Sequence, residues 1–155
     1  MFVSQTVMQF LDRSDVDFEV VSHRHTATSS QTARAAGINP NDLAKAVLLQ
    51  DDEEYLMAVL PAPRMVNPWA VEALIDEPNI VLAQERDLPF IFRDCERGAI
   101  PVLGPAFGLR TVVDDAVLQR REVFFEGGDH EHLVHIHGAD FARLFDGLEH
   151  GHIAF

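Results

Sequence analysis

Two apolar runs divided by a short acidic turn constrain this chain more than any other feature. Residues 44–50, Ala-Lys-Ala-Val-Leu-Leu-Gln, and 55–60, Tyr-Leu-Met-Ala-Val-Leu, are separated only by Asp51-Asp52-Glu53-Glu54. Their length and content predict two strands joined as a hairpin, with the four acids as a solvated turn. The first strand carries Lys45, the single lysine against eleven arginines. An ammonium flanked by aliphatic residues on a strand either snorkels to water or points into a cleft, where its charge acts at close range.

The other elements are equally short. Ser4 predicts the cap of a first helix whose apolar positions Val7, Phe10 and Leu11 share a face. Residues 18–21 read as a strand. Thr28 and Gln31 have capping-box spacing and Gly37 supplies a stop, so a helix is expected over residues 29–36. Asn67-Pro68 predicts a helix start, with proline at the first helical position, running to residue 75. Residues 80–83 read as a strand, and residues 84–92 as a helix that Pro89 can break. Residues 97–108 hold three glycines and two prolines; such a loop either floors a site or packs the core. Strands follow at 111–113, 122–125 and 132–137, with Asp114 capping a short helix and Gly127-Gly128 forming a turn. A last helix is expected over 140–144 and a loose tail over 149–155.

This pattern predicts a single domain over residues 1–155 of the α/β class (mixed α+β), with a curled, mostly antiparallel sheet packed against helices. The absence of a Gly-rich phosphate loop excludes a doubly wound nucleotide-binding fold. The balance of 47% hydrophobic and 24% charged residues is that of a folded globular chain. No apolar stretch approaches the roughly 20 residues that span a bilayer, and the first residues lack the pattern of a signal peptide. A cytoplasmic location without a membrane partner is expected. The lone Cys95 suits a reducing compartment. It reads as a half-buried small hydrophobe, since nothing near it in sequence lowers a thiol pKa. The net charge of -13 works against a broad grip on nucleic acid, which needs a basic patch. A nucleic-acid substrate fits only if it is held at a small local site, such as one terminus.

Eight histidines are a second anomaly. In the run from His130 to His137, strand alternation puts His135 and His137 on one face and His132 on the other. Two histidines two apart can chelate a divalent ion if Asp129, Asp140, His23 or His25 adds a third ligand. Exposed strand histidines are the simpler reading. No G-x-S-x-G elbow supports a serine hydrolase, and helix capping explains Ser29 and Ser30. What remains is one lysine, a glycine-proline loop and a Gly-Gly turn. A cation facing free backbone amides polarises a carbonyl and stabilises an oxyanion, which suits hydrolysis of an activated ester.

The order of these residues resembles the YbaK/ProX family of aminoacyl-tRNA deacylases, which edit mischarged tRNA(Pro). The likeness runs over about residues 25–144. It includes His25-Thr26-Ala27-Thr28, Ala35-Ala36-Gly37, the lysine strand, Gly98-Ala99-Ile100-Pro101, Val113-Asp114 and Phe125-Glu126-Gly127-Gly128 leading to Asp140-Phe141. The resemblance implies a mixed sheet curled against helices, with a cleft beside the lysine strand. It implies cleavage, with neither metal nor cofactor, of the ester between a wrong amino acid and the tRNA 3′ end. By matching position, Lys45 holds or polarises the aminoacyl group, and the amides of Gly98, Ala99, Ile100 and Pro101 line its carbonyl. His25, Thr28 and Ser30 lie at the amino-acid pocket, and Gly127, Gly128 and His130 close its far side. The implied partners are the aminoacyl-tRNA 3′ end and prolyl-tRNA synthetase, with Cys- or Ala-tRNA(Pro) as substrate. The histidine-rich run after Gly127-Gly128 departs from the family's pattern. Two rivals keep the scaffold without the hydrolysis: a non-catalytic module that binds an aminoacyl group or another small molecule, and a histidine metal site.

Overall fold

Local signals place most elements where the sequence predicts them. The structure, a computed structural model, describes residues 2–155. Ser4 accepts the Val7 amide at 3.3 Å and starts helix α1 (Gln5–Ser14), which buries Val7 and Leu11. Strand β1 (Glu19–Ser22) follows. Helix α2 (Ser29–Ala36) begins at Thr28, whose hydroxyl accepts the Gln31 amide, and ends at Gly37 with φ 69°. The predicted hairpin is strands β2 (Ala44–Gln50) and β3 (Tyr55–Pro61). Asp51 ties its turn by accepting the amides of Glu53 and Glu54. Asn67 caps helix α3 (Pro68–Ile75). Strand β4 (Val81–Leu82) leads through a 3-10 turn, Glu85–Asp87, into helix α4 (Leu88–Ile91). Strand β5 (Arg110–Asp114) runs into helix α5 (Asp115–Leu118), capped by Asp114 on the Ala116 amide. Strands β6 (Glu122–Glu126) and β7 (His132–His137), helix α6 (Gly138–Leu144) and strand β8 (Glu149–Gly151) complete the order.

The α/β class is as expected and most strand pairs are antiparallel, but the sheet comes in two parts. One has the order β1-β7-β6 and is antiparallel throughout. The other has the order β4-β2-β3-β5-β8, antiparallel across β4-β2-β3 and parallel across β3-β5-β8. A bridge between Leu43 and Phe124 joins the two. Strand β3 is buried on both faces, which explains its unbroken apolar run. Met57 and Val59 face a core with Phe92, Phe125 and Phe141. Leu56, Ala58 and Leu60 face a second core under α3 with Val71 and Ile75. Among the described residues no helix is long and apolar enough to cross a membrane.

Three expectations need correction. Residues 149–155 are not loose: β8 pairs with β5, Ile153 and Ala154 are buried, and the Ile153 amide donates to buried Asp114 at 2.9 Å. The helix expected over 84–92 is a 3-10 turn followed by one α-helical turn, with Pro89 in the first turn of α4 rather than interrupting a longer helix. The last helix begins at Gly138, before Asp140. Gly138 donates its amide to Arg121 at 2.7 Å, and a Cβ there would lie 1.8 Å from the Arg120 carbonyl oxygen. Close chain approach, which only glycine allows, sets that start.

Candidate active site

Strand β2 gains a second neighbour only along part of its length, and this opens the site. The Ala62 amide donates to the Leu43 carbonyl at 2.8 Å, and Lys45 stands opposite Leu60. In an antiparallel ladder this register turns the peptide groups of residues 43, 45, 47 and 49 toward β3, and those of the even-numbered residues toward the other edge. Strand β4 covers that edge only at its far end. There the Ala83 amide donates to Leu48 at 3.0 Å, and Leu49 and Gln50 pair with Leu82 and Val81. Beside Lys45 and Ala46 the edge stays open, and a cleft of about 210 Å³ lies there. Its walls include Lys45 from β2, Ser29 from α2, Glu126 from β6, and Arg97, Gly98 and Ile100 from the long loop.

Lys45 is half-buried. Burial lowers its amine pKa, and no carboxylate among the described residues raises it in return. Gly98 adopts φ 81°, and a Cβ there would stand 3.3 Å from His130 Cε1, tighter than most real contacts. The Ala99 amide is taken by the Glu96 carbonyl at 3.1 Å, and Pro101 has no N–H to offer, so two of the four expected amides drop out. Those of Gly98 and Ile100 have no partner among the described residues.

The turn after β6 holds this loop. The Glu96 amide donates to Gly128 at 2.7 Å and the Ser4 amide to Gly127 at 2.8 Å. His130 Nε2 donates to the Arg97 carbonyl at 2.5 Å, an assignment that puts the proton on that nitrogen. His130 is buried with φ 62°, and its ring lies 5.3 Å from that of His25. Gly127, Gly128, His130 and His25 thus lie outside the lining, and Ala99 and Pro101 are buried beneath it. Thr28 serves as the α2 cap, and Ser30 opens onto a separate depression with Arg24, Gln31 and Arg34. Ser29, between them, is the α2 residue that reaches the cleft.

Sequence reasoning includes Glu126 in the Phe125-Glu126-Gly127-Gly128 motif but gives it no role. Burial pushes its carboxyl up to about 7, against the opposing pull of His130 and Thr32 and with Asp129 adding to the rise. Its Oε1 lies 3.3 Å from Thr32 Oγ1, while Oε2 is buried with no hydrogen-bond partner among the described residues. Its contact with Thr32 spans 94 residues of sequence, so no local pattern marks it.

The histidines of β7 are engaged by acids. His132 Nδ1 meets Asp129 at 2.5 Å, and the two ring nitrogens of His135 meet Glu19 and Glu122 at 2.5 and 2.6 Å. His135 also stacks on Phe124 at 4.2 Å. Among the described residues, the one group of three acids or histidines close enough to share an ion is Asp51, Glu54 and Glu77, at the hairpin end and away from this strand. Burial pushes the Cys95 thiol up to about 12, with Asp94 adding to it, so it carries no thiolate.

No curated protein matches the sequence. Solved structures share the fold. A hypothetical protein, APE2540, superposes with TM-score 0.85 at 17% identity, covering 97% of this chain and 100% of that one. A candidate trans-editing enzyme for prolyl-tRNA synthetase gives TM-score 0.81 at 17% identity, covering 97% and 96%. A candidate signal transduction protein from Marinobacter aquaeolei VT8 gives 0.77 at 22% identity, covering 96% of this chain but 30% of that longer one. Residues 23–144 match the family described as the aminoacyl-tRNA editing domain, which bears out the resemblance to the YbaK/ProX deacylases. The chain belongs to the aminoacyl-tRNA editing domain family.

Proposed function

We propose that this chain hydrolyses the ester of mischarged aminoacyl-tRNA, acting in trans on tRNA(Pro) that carries Cys or Ala. The observation behind this reading is a single cleft that holds Lys45, without a carboxylate partner, and the partnerless amides of Gly98 and Ile100. The ester carbonyl sits between them. Its oxygen gains negative charge as water adds, and donors already in place stabilise that charge without reorganising. Apolar walls from Leu43, Ala44, Ala46 and Leu88 suit a small uncharged side chain. Ser29 forms the α2 end of the amino-acid pocket, on the helix that Thr28 caps. His25, Gly127, Gly128 and His130 act through the loop they hold. No metal or cofactor enters this chemistry.

Only the aminoacyl end of the tRNA is gripped, since Lys45 and Arg97 are local cations on a chain of net charge -13. Prolyl-tRNA synthetase is the partner suited to deliver it, in the cytoplasm. The test is release of alanine from Ala-tRNA(Pro). Lys45→Ala is expected to slow it by about 10²–10³ while melting like the wild type; equal rates reject the role of Lys45. A second reading, binding without turnover, draws support from the signal transduction protein, in which the matching part is one portion of a longer chain. Thermal stabilisation by a non-hydrolysable aminoacyl-adenosine, with no amino acid released from any aminoacyl-tRNA, favours it.

A further inference from the structure

We propose that Glu126 is the proton acceptor of the cleft: its free Oε2 takes a proton from the water that adds to the ester carbonyl and returns it to the leaving 3′ oxygen. This rests on the deacylase reading. Glu126 lines the same cleft as Lys45, Gly98 and Ile100. The groups around it are Thr32 from α2, Lys45 from β2, Arg97 from the loop, Glu85 from the 3-10 turn, and Asp129 and His130 from the turn after β6. None of them bonds Oε2. A buried acceptor without a partner is uncommon in a folded protein and is satisfied when a water or ligand donor enters.

The surroundings accommodate both protonation states. Thr32 has one hydroxyl proton, and the Thr28 carbonyl at 2.9 Å is its nearer acceptor. Thr32 Oγ1 can then accept from Thr26, 2.6 Å away, and from a protonated Glu126 Oε1 at 3.3 Å. In the neutral acid, Oε1–H is held by this chain of hydroxyls. In the carboxylate, Oε2 is a buried acceptor with no protein partner, on a residue that lines the cleft. A carboxyl that burial pushes up to about 7 changes state where such an acceptor works best. The step balances. The water oxygen bonds the carbonyl carbon, the bond from that carbon to the 3′ oxygen breaks, and the proton passes through Glu126. The products are the free amino acid and the 3′ hydroxyl, and no electrons change hands.

Alanine release from Ala-tRNA(Pro) by the full chain is followed from about pH 5 to about pH 9 for wild type, Glu126→Gln and Glu126→Asp, after subtraction of spontaneous hydrolysis. Wild type is expected to rise through an ionisation near 7. Glu126→Gln is expected to lose that limb and to turn over about 10²–10⁴-fold more slowly without melting lower, whereas Glu126→Asp keeps the limb. A glutamine variant that is fully active, or slow with the limb intact, overturns the inference and leaves the deacylase reading standing. So does a raised KM with unchanged kcat, which marks Glu126 as a partner for the substrate ammonium. If wild type releases no amino acid from any aminoacyl-tRNA, the deacylase reading falls and the inference with it.

Discussion

Replacing Glu126 with glutamine should stabilise the protein, and the gain should depend on pH in a way that no lost contact can imitate. Burial carries the carboxyl from its ordinary 4.5 to about 7 in the folded chain. The folded state therefore keeps a proton that the unfolded chain releases between about pH 4.5 and pH 7, so folding stability falls as pH rises across that window. A shift of this size amounts to about 3 kcal/mol once the group is ionised in both states. Glutamine does not titrate, and its amide can donate to Thr32 Oγ1 as the neutral acid does. The two proteins should be equally stable near pH 4 and differ by about 3 kcal/mol near pH 8. For a chain of this size that is roughly 6–12 °C in Tm. Urea midpoints of both proteins, taken across the range, measure the difference directly, because every other titrating group is common to them. A gap that stays constant with pH, or a variant less stable at pH 8, refutes the claim that burial of this carboxyl outweighs the pull of His130 and Thr32.

Two further perturbations probe the frame around the site. Gly138→Ala should destabilise by about 3 kcal/mol or more, because its Cβ would lie 1.8 Å from a backbone oxygen. Gly37→Ala should lose only about 1 kcal/mol, since it meets strain at φ 69° but no atom within 4 Å; similar urea midpoints for the two would contradict the packing at Gly138. His135→Gln should lower Tm by roughly 2–4 °C at pH 5.5 and less at pH 9. Burial lowers the His135 pKa, but Glu19 and Glu122 more than offset it. The stabilisation is therefore complete below the ordinary imidazole value and disappears as pH rises through the raised one; a deficit that grows with pH counts against the pairing.

What could be read from the sequence was whatever a few neighbouring residues decide. Thr28 and Gly37 bracket α2, Asn67-Pro68 starts α3, Asp114 caps α5, and the acidic turn closes the hairpin, all from contacts within a turn of chain. The tail was misread because a three-residue strand paired in parallel with β5 has no local pattern; its identity comes from Asp114 and Met65, far back in the chain. The histidine strand suggested metal because alternation shows which residues share a face and not what stands opposite. Glu19, 116 residues from His135, supplies that answer. Lys45 was legible because it is rare and sits in an apolar strand. Glu126 was not, because an acid's burial is a property of its neighbours.

The site also shows why position in a motif and contact with substrate are separate things. The open edge of β2 fixes only one wall of the cleft; the opposing loop has little regular structure of its own. Its geometry comes from the β6–β7 turn, through Glu96 on Gly128 and His130 on the Arg97 carbonyl. That turn is itself tied to α1, where Ser4 meets Gly127 and its hydroxyl reaches Asp94 at 2.7 Å. Moving His130 or Gly128 would displace the Gly98 and Ile100 amides without removing any atom from the cleft. Donors aimed at a developing oxyanion lose their effect when displaced by a fraction of an ångström. Under the proposed deacylase reading, residues behind the loop therefore matter as much as Lys45 from outside the cleft lining.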